Sequence, residues 1–206
     1  MSTELGDEYK EYITEVPDFP KPGIGFKDIS PLLADEQTFR SAIVDMGMCV
    51  DAGYNCPDYW IGIDSRGFIF ASALAIYFGG GVVCARKEGK LPNAKHKVSY
   101  ELEYGSATLE MQGLPDEGVG SKAVIVDDVL ATGGTMVAAN KLAYEAGYDV
   151  VGNIVLVDLK FIPKIAGMGI RNIQVDIALS DNKFDWINTD DLNDGFDKNG
   201  KEFRYF

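Results

Sequence analysis

The chain has 206 residues, of which 46% are hydrophobic, and this is enough for one ordinary domain with a packed core. Its formal net charge of −13 argues against non-specific binding to nucleic acid or to anionic membranes. The three cysteines form no Cys-x-x-Cys pair and there is one histidine, which argues against a structural zinc site and fits a reducing cytoplasm. The first eight residues contain neither a basic region nor an apolar core for export, so we expect a cytoplasmic protein.

The N-terminal part is expected to contain a helix followed by an irregular segment. Apolar residues at helical spacing from Leu5 to Val16 predict a helix that ends before Pro17. Residues 17–25 contain three prolines and two glycines and can form neither a central strand nor a helix. A second helix is predicted at 38–52.

The middle of the chain shows a strand, a polar turn and a helix twice. Each copy has an apolar run, a polar break and apolar residues at helical spacing. The first copy comprises a strand at 60–64, a turn at 65–67, a helix near 68–78 and a further strand at 82–85. The second comprises a strand at 123–126, a helix at 136–146 with Gly147 as its C-cap, and a strand at 150–157.

Alternating strands and helices predict an α/β fold with a central, mostly parallel sheet and helices on both faces. Ligands of such sheets bind at the carboxyl ends of the strands, where Asp64 and Asp127 are expected to face one crevice. Residues 100–112 alternate imperfectly, and we interpret them as a hairpin arm or flap rather than part of the central sheet. Beyond a strand signal at 175–179, residues 176–198 carry seven aspartates against two lysines and are expected to form a solvated appendage.

The most informative motif lies at 124–135, where an apolar run leads to two adjacent carboxylates and then to a loop of small residues. Small residues let backbone N–H groups and threonine hydroxyls close on one anion, with the dipole of the next helix behind them. The carboxylates repel a phosphate, but they can accept hydrogen bonds from the vicinal hydroxyls of a ribose. A plain turn is the alternative, but the strand before and the helix after favour a binding site. The predicted ribose 5-phosphate site comprises Asp127, Asp128, Ala131, Thr132, Gly133, Gly134 and Thr135.

A basic cluster interrupts this acidic chain. It holds five of the 19 basic side chains within twelve residues, namely Arg86, Lys87, Lys90, Lys95 and Lys97. A run of charges is usually a solvated face, but in so acidic a protein a basic loop that contains Gly89 and Pro92 is more typical of a lid for an anion.

The string at 124–135 resembles the signature with which type I phosphoribosyltransferases bind phosphoribosyl pyrophosphate. Several separated motifs in one order narrow the resemblance to the adenine phosphoribosyltransferase family. These motifs are residues 17–20, 25–30, 64–68, 86–92, 102–105 and 127–135, and the resemblance covers roughly residues 9–165.

The resemblance implies one phosphoribosyltransferase domain over residues 1–206, with an N-terminal hood and a β-hairpin flap added to the central sheet. Residues 1–33 would form the N-terminal helix and the base-binding hood, 34–165 the core with a flap near 86–112, and 166–206 a C-terminal strand and acidic appendage. The implied reaction is transfer of the 5-phosphoribosyl group from phosphoribosyl pyrophosphate to adenine, giving AMP and pyrophosphate in purine salvage. Mg²⁺ would be bound mainly through substrate oxygens, with no metal ligand assigned to the protein, and the enzyme would be a homodimer.

The resemblance also assigns roles to individual residues. Glu103, Tyr104 and Arg66 would be catalytic, with Glu103 managing the proton at the purine imidazole or favouring positive charge on the sugar. Without the resemblance, an exposed carboxylate and a core aromatic would be the default interpretations of Glu103 and Phe26. The predicted pyrophosphate-binding residues, with a cis peptide before the serine, are Asp64, Ser65, Arg66, Gly67, Arg86, Lys87 and Lys90. The predicted base-binding residues are Gly25, Phe26, which would stack on the purine, Lys27, and Leu159, which would close its opposite face.

The chain departs from the family pattern at three places. Lys27 stands where the family commonly has arginine, Glu88 lies in a loop that is usually more basic, and residues 93–96 replace a segment often rich in proline and glycine. Two alternatives therefore stay open. One is a 6-oxopurine phosphoribosyltransferase acting on hypoxanthine, guanine or xanthine, and the other is a non-catalytic regulator that senses a sugar phosphate on the same fold.

Overall fold

Within the residues that it describes, the computed structural model contains a two-stranded hairpin and a seven-stranded sheet flanked by helices. The helices are α1 (Ser30–Ala34), α2 (Glu36–Tyr54), α3 (Gly67–Phe78) and α4 (Gly134–Glu145), preceded by a 3-10 helix at Asp7–Tyr12. The strands are β1 (Thr14–Pro17), β2 (Gly25–Asp28), β3 (Tyr59–Ile63), β4 (Gly81–Lys87), β5 (His96–Leu102), β6 (Gly105–Met111), β7 (Lys122–Leu130), β8 (Asp149–Asp158) and β9 (Val175–Ser180). The structure describes residues 7–22, 24–54, 56–102, 105–113, 120–159, 162, 164 and 175–180.

Five neighbouring strands form the predicted parallel sheet, in the order β4-β3-β7-β8-β9. Helices α2 and α3 cover one face, where Trp60, Phe70 and Leu74 are buried, and α4 covers the other, where Ile125 and Leu142 are buried. Full burial of each such side chain stabilises the fold by about 1.5–3 kcal/mol. The prediction of an α/β fold with a mostly parallel sheet and helices on both faces is confirmed.

The N-terminal helix is shorter than predicted, and Val16 lies in a strand. The 3-10 helix ends before β1, and β1 pairs antiparallel with β2, so that Val16 lies opposite Phe26. Within the 3-10 helix Tyr9 is 1% exposed, and its hydroxyl donates to Asp45 of α2. The prediction of a helix up to Pro17 was wrong because pairing with β2 outweighs the helical spacing, and proline is tolerated at the end of an edge strand.

Strands β5 and β6 form the predicted hairpin, but they also belong to the large sheet. Strand β6 pairs antiparallel with β4 at Arg86↔Glu110 and Lys87↔Leu109. Leu109 and Met111 are fully buried, so the hairpin contributes side chains to the core. The interpretation of an arm outside the central sheet was therefore wrong. Strand β4 continues two residues past the predicted end, and this extension offers its backbone N–H and C=O groups to β6.

Strand β7 extends past its apolar run and includes both Asp127 and Asp128. It pairs with β8 as far as Leu130↔Asp158, so the loop of small residues begins only at Ala131. The prediction that the strand ends at Val126 was wrong, because ladder pairing with β8 keeps this polar segment extended. The two carboxylates consequently stand on a strand inside the sheet.

The remaining predicted elements are present with small shifts of their boundaries. They are α2, α3 and α4 among the helices and β3, β4, β8 and β9 among the strands, and β9 pairs parallel with β8. Gly147, with φ 94°, lies one residue beyond the C-cap Ala146 rather than at the C-cap itself, and the Tyr148 N–H closes the helix end by donating to the Ala143 carbonyl (3.0 Å). In the part of the chain that the structure describes, no helix has the length and apolar character needed to span a membrane.

Candidate active site

The carboxyl ends of β3 and β7 form a crevice at the point where the chain reverses its direction across the sheet. From β3 the chain passes through α3 to β4 on one side, and from β7 it passes through α4 to β8 on the other. Ligands of open α/β sheets bind at such a point. The turn at 64–67 follows β3, and the acidic pair lies near the end of β7, so the structure brings the two predicted polar segments together.

Gly67 allows α3 to begin directly against β7. A Cβ atom on Gly67 would lie 2.5 Å from the Val126 carbonyl oxygen and 3.2 Å from Asp127 Oδ1. A side chain here would therefore push α3 away from the sheet. Beside it, the peptide bond between Asp64 and Ser65 is cis, as the resemblance implied, and Ser65 is exposed.

Arg66, the residue before α3, joins this turn to the acidic pair and to the N-terminal hairpin. Its Nη2 atom lies 2.7 Å from Asp128 Oδ2, and its Nη1 atom donates to the Lys27 carbonyl at 3.2 Å. Its Cζ atom lies 4.8 Å from the centre of the Phe26 ring, a cation–π contact. One guanidinium group thus holds the hairpin of β1 and β2 against the end of β7.

Asp127 and Asp128 have different electrostatic environments although they are adjacent. Burial raises the pKa of Asp127, and the negative charge of Asp128 raises it further. Burial also raises the pKa of Asp128, but Arg66 opposes this effect. Asp128 is therefore the member of the pair that keeps its charge more readily, whereas Asp127 retains a proton more readily. A pair in these two states can both accept from and donate to vicinal hydroxyl groups.

The loop at 131–135 has the backbone geometry of an anion-binding helix start. Gly133 has a φ of 90°, which side-chain-bearing residues rarely adopt, and α4 begins at Gly134. The first N–H groups of a helix have no carbonyl partner within the helix, and the helix dipole is positive at this end. The Thr135 hydroxyl lies 3.3 Å from the Tyr100 hydroxyl of β5, so the hairpin reaches this loop. Ala131 and Thr132 are half-buried at its start.

Asp64 lies close to positively charged side chains at the end of β4 and just beyond it. Its carboxylate is 4% exposed, and Oδ2 lies 3.7 Å from Arg86 Nε and 3.5 Å from Lys90 Nζ. The same oxygen accepts a hydrogen bond from the Lys87 N–H at 3.2 Å. Since like charges repel, one carboxylate among these cations allows them to lie close together. Four of the predicted pyrophosphate-binding residues therefore converge beside the crevice.

Glu110 was not predicted, yet it supports the basic loop. Its side chain is 2% exposed, its Oε1 atom lies 2.6 Å from Lys97 Nζ, and its Oε2 atom accepts the Gly89 N–H at 3.1 Å. The hydrogen bond from Lys97 holds the pKa of Glu110 below its ordinary value. Lys97, which the sequence assigned to an anion lid, therefore has carboxylate partners, Glu110 and Glu88 at 3.9 Å. The signal in the sequence was that Glu110 is the only charged residue of β6.

The hairpin of β1 and β2 carries three of the predicted base-binding residues. Phe26 is half-buried, and Phe19 packs against it edge-to-face, with 5.1 Å between the ring centres. Lys27 is 8% exposed, and its Nζ atom lies 2.7 Å from Glu15 Oε2. Gly25 is exposed at the start of β2. The hairpin thus presents an aromatic ring and exposed backbone side by side.

Of the three remaining predicted residues, Leu159, Glu103 and Tyr104, the structure describes Leu159. Leu159 is 6% exposed and packs into the core on the face of α2 and α3, and its N–H donates to the Leu130 carbonyl at 2.9 Å. It therefore lies beside the start of the loop at 131–135. Glu103 and Tyr104 lie outside the described residues, and their catalytic assignment stays a prediction.

An acidic pair, a helix-start loop and a cluster of cations meet at the switch point of an α/β sheet, and this combination defines the phosphoribosyltransferase class. The model of the phosphoribosyl transferase domain matches residues 50–161. The adenine phosphoribosyltransferase of Hydrogenovibrio crunogenus is 49% identical over 166 residues, which cover 79% of this chain and 93% of the relative. That of Polynucleobacter asymbioticus is 50% identical over 153 residues, which cover 72% of this chain and 85% of the relative.

Solved structures show the same relationship. The crystal structure of adenine phosphoribosyltransferase from Saccharomyces cerevisiae, complexed with an imino-altritol bisphosphate and adenine, superposes with a TM-score of 0.76 at 33% identity and covers 85% of this chain and 98% of the other. The enzyme from Thermoanaerobacter pseudethanolicus superposes with a TM-score of 0.75 at 39% identity, covering 82% and 97%. The chain belongs to the adenine phosphoribosyltransferase family.

Proposed function

We propose that this chain transfers the 5-phosphoribosyl group from phosphoribosyl pyrophosphate to adenine, giving AMP and pyrophosphate, as a purine salvage enzyme. One observation carries the proposal: Arg66 joins the acidic pair, the turn at 64–67 and the hairpin at a single crevice. Two relatives that are 49% and 50% identical to this chain are named adenine phosphoribosyltransferase, and this supports adenine as the base.

The reaction replaces the bond between C1 of the sugar and pyrophosphate with a bond between C1 and N9 of the purine. Pyrophosphate leaves with the electron pair of the broken bond, and the purine imidazole loses a proton. The transition state resembles an oxocarbenium ion, as in glycoside cleavage. The protein must therefore hold the base near C1, stabilise the departing pyrophosphate and exclude water.

The sugar phosphate is assigned to the end of β7 and the start of α4. Asp127 and Asp128 would bind the two ribose hydroxyls, since one carboxyl of the pair keeps its charge and the other retains a proton more readily. The 5-phosphate would be bound by backbone N–H groups and hydroxyls of the loop, which comprises Ala131, Thr132, Gly133, Gly134 and Thr135.

Pyrophosphate is assigned to the turn at 64–67 and to the cations beside it. Arg66, Arg86, Lys87 and Lys90 would bind its oxygens, with Ser65 and the Gly67 backbone at the turn. Asp64 would act by holding Arg86 and Lys90 close to each other, because a carboxylate itself repels pyrophosphate.

The base is assigned to the hood and to the end of β8. Phe26 would stack on the purine, the backbone of Gly25 and Lys27 would bind its edge, and Leu159 would close the opposite face. Glu103 would manage the proton at the purine imidazole, with Tyr104 beside it on the flap.

Mg²⁺ is the implied metal, and the acidic pair fits it. Mg²⁺ prefers oxygen ligands and is usually bound by one or two carboxylates together with substrate phosphates. Asp127 and Asp128 carry such oxygens beside the crevice, but the sugar and pyrophosphate oxygens would supply most of the ligands of the ion, as the resemblance implies. When bound, the ion would neutralise part of the pyrophosphate charge as it departs.

A homodimer is the proposed assembly. Apolar residues of α3 are exposed, with Ile69 at 41%, Ile76 at 89% and Tyr77 at 55%, and they line a groove of about 540 Å³ against α2. Contiguous exposed apolar surface of this kind usually marks a protein interface. Ile76→Glu should therefore shift the chain to monomers in sedimentation velocity, whereas Tyr144→Glu, at a similarly exposed position of α4, should not. Equal behaviour of both variants would contradict an interface at α3.

A cytoplasmic location is proposed on the state of the thiols and on charge. Cys56 is exposed and Cys84 is half-buried, and both are free, which suits a reducing compartment. The charge of −13 further supports small-molecule partners over nucleic acid or membrane surfaces.

The deciding experiment is pyrophosphate release by the purified chain with phosphoribosyl pyrophosphate and each purine base in turn, with and without Mg²⁺. The proposal predicts release with adenine that depends on Mg²⁺. Release with hypoxanthine, guanine or xanthine instead would assign a 6-oxopurine enzyme, and saturable binding of phosphoribosyl pyrophosphate with no release on any base would assign a sugar-phosphate sensor.

A further inference from the structure

Lys164 lies behind the loop at 131–135 and contacts the two strands that end beside it. Its Nζ atom donates to the carbonyl oxygens of Ala131 (2.7 Å), Leu159 (2.9 Å) and Leu130 (3.3 Å). The same ammonium group forms an ion pair of 2.6 Å with Asp158 Oδ1. One side chain therefore joins the last residue of β7, the first residue of the loop and the end of β8.

The contact with Ala131 determines the direction of the next N–H group. The Ala131–Thr132 peptide is trans, and in a planar trans peptide the C=O and N–H bonds point in opposite directions. Because the Ala131 oxygen points to Lys164, the Thr132 N–H points away from it. The Leu130 oxygen has the same relation to the Ala131 N–H, and it accepts the Leu159 N–H at 2.9 Å as well as the Lys164 ammonium group at 3.3 Å. Lys164 thus orients the Thr132 N–H, and it reinforces the orientation of the Ala131 N–H that the contact with Leu159 also sets.

Asp158 keeps the Lys164 ammonium group in this position. The side chain of Asp158 is 10% exposed and that of Lys164 is 26% exposed, so both charges are largely removed from water. Burial lowers the pKa of Lys164, and the carboxylate of Asp158 opposes this effect. The ladder pairs Leu130 with Asp158 across β7 and β8, which places the carboxylate next to the carbonyls that the lysine binds.

We propose that Lys164 is a positioning residue of the phosphate-binding loop, which it orients through the carbonyls of Leu130 and Ala131 so that the loop presents N–H groups to the 5-phosphate of the substrate. The inference rests on the proposed function, since it places a phosphate at this loop. Lys164 acts through the backbone and does not touch the substrate. It also holds the Leu159 carbonyl, but the proposed contact of that residue with the base is made by its side chain, so the main effect falls on the phosphate.

The test compares a ligand that carries the 5-phosphate with one that lacks it. Lys164→Met keeps the length of the side chain and removes its donors. We expect AMP to bind about tenfold or more weakly to this variant in isothermal titration, while adenine affinity changes by less than about twofold. Lys141→Met is the matched control, because Lys141 lies 3.9 Å from Glu145 on the exposed side of α4 and should be neutral for both ligands.

Two further variants separate positioning from folding. Lys164→Met leaves the buried Asp158 unpaired, so Asp158→Asn/Lys164→Met carries the same test without an isolated buried charge. Lys164→Arg keeps the charge and the donors and should recover part of the AMP affinity. In steady-state kinetics, the loss should appear as a KM for phosphoribosyl pyrophosphate about tenfold higher, with a smaller change in kcat and in the KM for adenine.

Each outcome decides the inference. Wild-type AMP affinity in the double variant would overturn it, and so would equal losses for AMP and adenine together with a lower Tm, because these would indicate a general structural role. Wild-type protein that binds neither AMP nor adenine would refute the proposed function and the inference with it. Wild-type protein that binds both, with AMP affinity unchanged in the variants, would refute the inference alone.

Discussion

Arg66 Nη2 and Asp128 Oδ2 lie 2.7 Å apart, and this ion pair joins the start of α3 to the end of β7. The Asp128 side chain is 7% exposed, so it depends on Arg66 for compensation of its charge. Because the same guanidinium group contacts the Phe26 ring, the pair also connects the proposed ribose site to the hairpin of β1 and β2. A change at either residue should therefore affect both binding and stability.

Asp128→Asn should weaken binding of phosphoribosyl pyrophosphate. The substitution removes the charge that holds Arg66, but it also removes a buried charge whose desolvation raises the pKa of Asp128, so the two effects on the free energy of unfolding oppose each other and the binding defect is the expected result. The measurements are the KM for phosphoribosyl pyrophosphate and urea unfolding, with Glu145→Gln at the exposed end of α4 as the neutral control. Unchanged catalytic efficiency in Asp127→Asn/Asp128→Asn would reject both residues as ribose ligands.

Asp127→Asn should stabilise the protein increasingly as the pH rises. The folded-state pKa of Asp127 lies above its ordinary value of 3.8, so within this window the folded state binds more protons than the unfolded state. Wild-type stability therefore falls as the pH rises from about 4 toward the raised pKa, and the asparagine variant escapes this loss. Urea unfolding of both proteins between about pH 4 and about pH 7 measures it. A difference that does not change with pH would contradict the raised pKa.

Glu110→Gln should release the basic loop, because it removes the charge that pairs with Lys97 while keeping the volume. We expect a higher KM for phosphoribosyl pyrophosphate and a lower Tm at neutral pH. The pKa of Glu110 is lowered below 4.5, so its contribution is complete above 4.5 and is lost as the pH falls through the folded-state value. The difference in Tm between the two proteins should consequently shrink at acid pH.

The matched control for this prediction is Glu88→Gln, since Glu88 also faces Lys97, at 3.9 Å, but is 62% exposed. An exposed pair of this kind contributes little to stability. If the two variants lose the same amount, Glu110 has no special role in holding the loop.

Phe26→Leu should weaken adenine binding and leave phosphoribosyl pyrophosphate binding nearly unchanged. Stacking of a base on an aromatic ring contributes about 1–3 kcal/mol, which corresponds to about 5- to 150-fold in affinity. Phe19→Leu is the control, because Phe19 packs only edge-to-face against Phe26 and is 50% exposed. Competition titrations with adenine measure both variants, and an equal effect of the two would remove Phe26 from the stacking role.

Glu103→Gln should lower turnover more than it lowers substrate affinity. The substitution removes the proton-transfer group and keeps the size of the side chain. Steady-state kcat and KM values measure the split, with Glu145→Gln at the exposed end of α4 as a neutral control. A defect confined to KM would exclude Glu103 from the chemical step.

The sequence by itself determined the alternating strands and helices and the position of the loop at 131–135. Apolar runs at 60–64 and 123–126 indicated buried strands because such runs suit a sheet covered on both faces. The two glycines at the start of α4 and the paired aspartates indicated the ligand chemistry, because few other functions need those residue types in that order. Local spacing was sufficient for these features, since each depends on neighbours along the chain.

Only the tertiary structure decided which strands pair and which charges meet. Val16 lies in a strand, although its spacing was helical, because β2 lies beside it, and the hairpin of β5 and β6 joined the sheet because β4 extended to meet it. Asp64, Glu110 and Lys164 contact residues that lie between 13 and 34 positions away along the chain. Lys164 also contacts Asp158 and Leu159, which are near it in the sequence. Periodicity reports the face on which a side chain lies but carries no information on what the fold places opposite it, because long-range pairing depends on the whole sheet.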